Sequence, residues 1–232
     1  MSDGDGRLGR IAGVVRALSE PDPLPGLCRA TVPVLAVAGA SLMLSVDRAP
    51  SPLAWSSELS ERLEDLQTTT GEGPCCDAHA SGRPVSESDL GRLGPRRWPS
   101  FAPSARAAGA AAIFSFPLRI GAARLGALTV HRPLTREMSD REHSDARSIA
   151  EIAAAAILWF QAGAPQGAVG PELSGLMHQS AIVHQATGMV SEQLGITLAD
   201  ALLRLRAHAF SREHPLTDVA RDIVARSLRL DS

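Results

Sequence analysis

The stretch that decides the fold of the C-terminal part is HQATGMVSEQLGITLADALLRLRAHAF at residues 184–210, followed by PLTDVARDIVARSLRL at residues 215–230. Apolar residues recur in both at spacings of three and four, the period of an amphipathic helix. Together with the residues just before them, these segments predict three consecutive helices, over 171–195, 197–210 and 216–227.

Local signals mark the start of each predicted helix. Pro171 suits a first helical turn, because its missing N–H would have no partner there. Thr197, with Asp200 three positions later, forms a capping-box-like start, and Thr217 is the predicted cap of the third helix. The positions predicted to face a common core are Leu176, Ile182, Val183, Ala186, Met189 and Val190 in the first helix, Leu198, Ala201, Leu202, Leu205 and Ala209 in the second, and Leu216, Val219, Ala220, Ile223, Val224 and Ser227 in the third.

The two quoted segments resemble the ANTAR domain, an RNA-binding module of bacterial transcription antiterminators. The residues at the family's signature positions are Gln185, Ala186, Gly188, Met189, Ala201, Leu205, Ala220 and Val224. The resemblance implies that a dimer of the module binds paired stem-loops in a leader RNA and prevents a terminator from forming. Loop bases are unstacked and can be read, whereas the narrow major groove of A-form RNA excludes side chains.

Charge is not concentrated in this module. Residues 172–232 contain six arginines and seven acidic residues, so attraction to phosphate has to come from individual arginines. The candidate RNA-binding residues are Gln185, Gly188, Met189, Arg204, Arg206, Arg221 and Arg226, with Arg229 as a further arginine near the third helix. For each arginine the alternative is an ordinary solvated position. Glycine within a helix costs about 1 kcal/mol against alanine, so Gly188 permits close approach of RNA or, more simply, of another helix in the bundle.

The N-terminal part mixes strands and helices. Alternating apolar residues predict strands over 41–46, 53–57, 113–120 and 125–132, with turns at 47–52 and 121–124. Helices are predicted over 8–18, 24–36, 58–67, 99–107 and 139–160, the last with a capping box in the sequence Ser139-Asp140-Arg141-Glu142. This order predicts the α+β class, an antiparallel sheet with flanking helices followed by an all-α three-helix module.

Three stretches of this part, LQTTTGEGPCCDAHASGRPV, RWPSFAPSA and FSFPLRIGAARLGALTVHR, resemble the GAF domain over about residues 20–160. The resemblance implies a sensor that binds a small molecule or only dimerises, with the ligand and any cofactor unknown. A pocket is expected between the sheet and residues 71–85, lined by Cys75, His79, Trp98 and Phe101. Core packing is the alternative for the two aromatic residues. Cys76 stands where an apolar residue is expected, and His131, at a strand end, is expected at the surface.

The expected organisation is a sensor domain at residues 1–160, a short Gly- and Pro-containing linker at 161–171 and an RNA-binding module at 172–232. The helix ending at residue 160 is the candidate signalling element between them. Three cysteines without a secretory signal indicate reduced thiols in a cytoplasmic protein. The longest apolar run, residues 32–46, is too short to cross a bilayer. The sequence shows no zinc-type spacing and no assembled catalytic set, so we expect neither a metal site nor an enzyme.

Three functions follow from these observations. The leading one is a GAF-controlled RNA-binding antiterminator that works as a homodimer, with the heptad Leu176, Val183 and Val190 as a seam weakened by Ser180 and Thr187. The second is a DNA-binding regulator, because two helices with a short connector superficially resemble a helix-turn-helix. The third is an enzyme, a cyclic-nucleotide or redox enzyme in the N-terminal half, or a redox or ligand-sensing protein without a nucleic-acid output.

Overall fold

The computed structural model describes residues 3–46, 49–162 and 171–230, with side chains at 9–45, 50–162 and 181–230. Its helices are α1 (Asp3–Ala17), α2 (Pro23–Leu35), α3 (Glu58–Thr70), α4 (Pro74–Ser81), α5 (Gly94–Arg97), α6 (Phe101–Ala107), α7 (Asp140–Ala162), α8 (Pro171–Leu194), α9 (Leu198–Ser211) and α10 (Leu216–Val224). Its strands are β1 (Gly39–Val46), β2 (Ala49–Trp55), β3 (Val85–Glu87), β4 (Ala112–Ile120) and β5 (Ala123–Arg132). The predicted linker lies mostly at residues 163–170, outside the described residues, as does the side chain of Leu176.

The five strands form one antiparallel sheet in the order β2-β1-β5-β4-β3. β4 and β5 make the predicted hairpin, with Ile120 paired to Ala123 and only Gly121 and Ala122 in the turn. Gly121 has a φ of 58°, a conformation that glycine adopts without a steric penalty. The hairpin is therefore tighter than the expected turn over residues 121–124.

Side chains alternate between the two faces of the sheet, as the pleat of a strand requires. Leu42, Phe114 and Val130 belong to one core, which α1, α2 and α7 cover. Their strand neighbours Met43 and Ile113 belong to a second core, which α3, α4 and α6 cover. The N-terminal part is consequently a three-layer structure with a helical layer on each face.

Several predicted boundaries in this part were wrong. The turn expected over residues 47–52 is shorter, because β2 already begins at Ala49 and includes Pro50 and Pro52; Asp47 and Arg48 lie outside the described residues. Both prolines are tolerated because β2 is an edge strand. The elements α4, α5 and β3 were missed because all three are short, and α6 begins at residue 101 rather than 99. His131 is 1% exposed and so is not at the surface, since β5 lies inside the sheet.

The capping box of α7 is present as predicted. The Ser139 hydroxyl accepts a hydrogen bond from the Glu142 amide at 3.3 Å, and the Glu142 carboxylate accepts one from the Ser139 amide at 2.8 Å. Along the helix Ala146, Ile149 and Ala153 are fully buried against the sheet. The capping residues therefore begin the helix, and the apolar stripe determines which face packs.

The three C-terminal helices enclose a core of their own. Its buried members are Val183, Ala186, Val190, Ala201, Leu205, Ala209, Leu216, Val219, Ala220, Ile223 and Leu230. Val183 and Val190, predicted at a dimer seam, are thus buried within one module. Leu198 remains 62% exposed, contrary to the prediction.

The local signals predicted the start of α9 correctly but neither end of α10. Thr197 caps α9 by accepting a hydrogen bond from the Asp200 amide at 3.2 Å. The predicted cap of α10 at Thr217 was wrong, because Pro215 holds that position. α10 also ends at Val224 rather than at residue 227, and Ser227 is exposed.

Candidate functional site

A groove of about 800 Å³ lies between α8 and the segment that follows α10. We call it the α8–α10 groove. Its walls are formed by Gln185, Gly188, Met189, Glu192 and Gln193 from α8, by Ile223 from α10, and by Arg226, Leu228 and Arg229 from the segment that follows α10. The structure therefore brings together four of the seven candidate RNA-binding residues, together with Arg229.

The helical repeat places the α8 residues of the groove on one side. Gln185, Met189 and Glu192 are spaced by four and three residues, so they share a face of the helix. Val183, Ala186 and Val190 hold the opposite, buried face. Gln185 and Glu192 are exposed, whereas Met189 is partly buried against the core, so this row runs along the margin between the core and the solvent.

Gly188 lies in this row with open space beside it. A Cβ added at this position would meet no atom within 4 Å, apart from its chain neighbours and the helix's own backbone. The simpler explanation for this glycine was close packing inside the bundle. None of the described residues lies close enough to require a glycine here. Close approach of a molecule outside the bundle remains as a reason for glycine here.

The chain turns sharply after α10, and this turn places Arg226 and Arg229 at the groove. Arg226 has a φ of 61°, and the Ser227 and Leu228 amides donate back to the Asp222 carbonyl at 2.9 and 3.2 Å. The Leu230 carbonyl then accepts a hydrogen bond from the Gln193 side chain. Because the segment is fixed at both ends, Arg226 and Arg229 are held at the groove while their side chains stay exposed.

The remaining candidate arginines lie elsewhere. Arg204 is exposed on α9. Arg221 forms an ion pair with Asp218 one turn earlier on α10. The Arg206 guanidinium packs on Gly71, where an added Cβ would lie 2.6 Å from its Nη1 atom. Burial lowers the pKa of Arg206, and the nearby Cys76 thiol has a smaller effect that raises this pKa. Arg206 is consequently covered by the sensor part in this structure.

The residues predicted for a sensor pocket separate into two environments. Cys75, Trp98 and Phe101 are at most 2% exposed in the core under α4 and α6. The Trp98 and Phe101 rings meet edge to face with their centroids 6.2 Å apart. His79 is partly buried. Its pKa is lowered mainly by this burial and further by the positive charge of Arg124. The structure thus places three of the four in packed core.

A row of buried polar side chains next to this core was missed by the sequence reasoning. Glu64 on α3 is fully buried, and its carboxyl accepts a hydrogen bond from the Ser41 hydroxyl at 2.7 Å. Burial raises the pKa of Glu64. Burial also lowers the pKa of His131 to about 4, and its Nε2 lies 3.1 Å from the Ser60 hydroxyl. The one available signal was the polar residues Ser60, Glu64 and Gln67, which recur along one face of a helix.

The cysteines are all unpaired thiols, with the Cys75 and Cys76 sulfurs 3.9 Å apart. Across the described residues, no group of three or more His, Cys, Asp or Glu side chains is placed to hold a metal ion. Along the same part of the chain, no helix has both the length and the apolar content needed to cross a bilayer.

A family model described as the GAF domain matches residues 17–158, and one described as the ANTAR domain matches residues 172–224. The chain belongs to the GAF domain family. Its second match adds an ANTAR domain at the C-terminal side of the GAF domain. No curated protein sequence matches the chain. A GAF domain followed by an ANTAR domain is the organisation of a regulator with a sensory part and an RNA-binding part.

Solved structures share the fold of the GAF domain at low sequence identity. The GAF domain of a phosphoenolpyruvate-protein phosphotransferase from Coxiella burnetii has a TM-score of 0.55 and 17% identity, over 69% of this chain and 98% of that one. The GAF domain of the Acinetobacter phosphoenolpyruvate-protein phosphotransferase has a TM-score of 0.54 and 14% identity, over 71% and 99%. These likenesses support the five-stranded sheet with helices on both faces.

Proposed function

We propose that the chain is a signal-responsive transcription antiterminator, in which the ANTAR domain binds a leader RNA with paired stem-loops. The GAF domain controls the ANTAR domain, either by sensing a small molecule or by setting dimerisation. The observation that carries this proposal is the α8–α10 groove, where Gln185, Met189 and Arg226 stand side by side. The groove belongs to a domain whose family binds RNA.

The chemistry of the groove suits a single-stranded loop. The Gln185 amide has both a donor and an acceptor for a base edge, and Met189 offers an adaptable apolar surface to a base face. Arg226 and Arg229 supply positive charge for phosphate at the rim. Glu192 offsets part of that charge, so we expect recognition to depend on loop shape more than on general attraction to RNA.

The domain limits belong to the same proposal. The sensor spans residues 1–160, the linker 161–171 and the RNA-binding module 172–232. Because a leader transcript is made in the cytoplasm, we place the protein there. Two stem-loops require two ANTAR domains, so the active form is a homodimer whose contact lies outside the buried Val183 and Val190.

Binding to RNA tests the function directly. The full chain is titrated with an RNA of two tandem hairpins, each with a hexanucleotide loop, and with duplex DNA of equal length, across a salt series. We expect RNA to bind more tightly than DNA, and Arg226→Ala or Gln185→Ala to weaken RNA binding about tenfold. Arg212→Ala is the matched control, because Arg212 is exposed but lies outside the groove.

Two results would contradict the proposal. Equal binding of both nucleic acids with a steep salt dependence would show attraction to phosphate alone. Equal loss of RNA binding in Arg212→Ala and Arg226→Ala would show that the groove has no special role. Light scattering on the RNA complex tests the dimer, and a monomer there would contradict the two-domain mode of binding.

A further inference from the structure

The ANTAR domain rests on the GAF domain along a seam between α3 and the helices α9 and α10. Two adjacent cavities lie in this seam, and we call them together the seam cleft. One, of about 460 Å³, lies between α3, α6 and the connector from α9 to α10. The other, of about 200 Å³, lies between α3, β2 and the start of α10. Asp65, Thr69 and Pro215 border both.

The larger cavity has a mostly apolar wall. Leu66 contributes from the GAF domain, and Ala209, Phe210 and Pro215 contribute from the ANTAR domain. Phe210 is 40% exposed, so part of its side chain is accessible to a bound molecule. The charged residues of this cavity other than Asp65 are Arg62, Glu213 and His214, and all three are exposed to solvent at its rim.

The smaller cavity is polar and rich in carboxyl groups. Glu61 and Asp65 border it from α3, and Asp218 borders it from α10. Asp218 is already paired with Arg221, which supplies the cationic group of this cavity. Thr68 is 8% exposed and borders the same cavity, and its hydroxyl has no hydrogen-bond partner among the described residues. An unpartnered buried hydroxyl costs free energy, so this position is incomplete without a further group.

Asp65 borders both cavities. It is partly buried, and no described residue forms a hydrogen bond or an ion pair with its carboxyl group. Burial, together with the negative charges of Glu61, Glu64 and Asp218, raises its pKa to about 7. Arg62 and Arg221 border the same cavities, but neither forms an ion pair with the Asp65 carboxyl group among the described residues. A perturbed carboxyl group at a cleft marks a candidate binding site.

We propose that the seam cleft binds a small amphipathic organic cation, a primary amine on an apolar body. The ammonium group lies between Asp65 and the Thr68 hydroxyl, and the apolar body lies against Phe210 and Leu66. The cavity volumes are in the range of small-molecule sites. A cation is favoured over an anion because Asp65 is partly buried, whereas Arg62 and His214 are exposed to solvent.

Both domains build the cleft, so an occupant would hold them together. With the domains docked, Arg206 stays on Gly71 and α9 stays against α3. The bound amine would therefore favour the docked arrangement. Its consequence for RNA binding rests on the proposed function, whereas the binding site itself does not.

The site is tested on the full chain without RNA, with 2-phenylethylamine as the probe and 2-phenylethanol as its neutral counterpart. By isothermal titration calorimetry we expect the amine to bind with a dissociation constant on the order of 1 mM, as a ligand of this size allows. The alcohol should bind about tenfold more weakly. Affinity for the amine should rise as the pH increases through about 7, because Asp65 gains its charge there.

Variants locate the binding. Asp65→Asn and Phe210→Ala should each weaken amine binding about tenfold, and Asp65→Asn should remove its pH dependence. Glu58→Gln, which removes an exposed carboxylate from the same helix outside the cleft, should change neither. Circular dichroism of each variant verifies that it folds, and Phe210→Ala supplies the test if Asp65→Asn does not.

Certain results would overturn the site. Equal binding of amine and alcohol, unchanged amine binding in both cleft variants, or no binding at an amine concentration of about 10 mM, roughly tenfold above the expected dissociation constant, would each do so. Tighter binding of 3-phenylpropionate would show instead that the cleft takes anions. RNA titration with and without saturating amine is a separate measurement. A chain that binds the amine but not RNA contradicts the proposed function and leaves the site standing.

Discussion

Gly188 has no side chain, and nothing inside the described structure requires this. A glycine inside α8 lowers helix stability by about 1 kcal/mol against alanine, yet no neighbouring atom occupies the space of a Cβ there. Among the described residues, no contact compensates for this energetic cost. A partner that approaches the α8–α10 groove closely would give this residue its reason.

Gly188→Ala should accordingly separate stability from binding. We expect the variant to unfold at a higher urea concentration, with a gain of up to about 1 kcal/mol, and to bind the tandem-hairpin RNA more weakly. Gly13→Ala in α1 is the matched control, since its added Cβ also meets nothing within 4 Å. The control should gain stability without losing RNA affinity. Undiminished RNA binding by Gly188→Ala would contradict close approach at this position.

At the level of elements, local chemistry sets where helices begin, and packing sets which face is buried. The start of α7 is fixed by Ser139 and Glu142, which satisfy each other's backbone amides. Glu142 also accepts a hydrogen bond from Arg132 at 2.6 Å and so ties the helix start to β5. This element connects the core of the GAF domain with the chain that leads to the ANTAR domain.

Removing the cap should weaken this connection. Ser139→Ala is expected to lower the free energy of unfolding by about 1 kcal/mol, because the Glu142 amide loses its acceptor. Ser139→Thr keeps a hydroxyl and should retain most of that stability. Urea unfolding followed by circular dichroism measures both. Equal loss in the two variants would show that the hydroxyl does not act as a cap.

For the whole molecule, the docking of the ANTAR domain on the GAF domain is the arrangement with regulatory consequences. It covers Arg206 and brings the carboxyl group of Asp65 into the seam. Asp65 faces Glu61, Arg62 and Glu64 on its own helix, Glu213 and His214 on the connector, and Asp218 and Arg221 on α10. Burial and the negative charges among these residues together favour the protonated form of the Asp65 carboxyl group.

Docking should therefore depend on pH through Asp65. The pKa of Asp65 is raised from 3.8 to about 7 in the docked structure. The contribution of Asp65 to the stability of docking is therefore complete below pH 3.8 and is lost as the pH rises through about 7. His131, whose pKa burial lowers to about 4, acts in the opposite direction below pH 6.5. The informative quantity is consequently the difference between wild type and Asp65→Asn, measured as resistance to limited proteolysis between the domains. The variant should be the more resistant above pH 7, and a difference independent of pH would contradict the assignment.

The sequence by itself determined much of the local structure. The capping boxes at Ser139 and Thr197, the β4–β5 hairpin and the order of the three C-terminal helices were all predictable. Each depends on residues within a few positions of one another, whose hydrogen bonds and apolar period act locally. The quoted segments also carried the resemblance to both domains, which the family models confirm.

Only the tertiary structure decided which of the candidate residues meet. It placed Gln185 and Arg226 in one groove, covered Arg206 with Gly71, and buried His131 and Glu64 between sheet and helix. The seam cleft likewise joins α3 to helices well over a hundred positions later in the chain. Burial and contact between residues so far apart are set by the packing of whole elements, and no local pattern in the sequence records that packing.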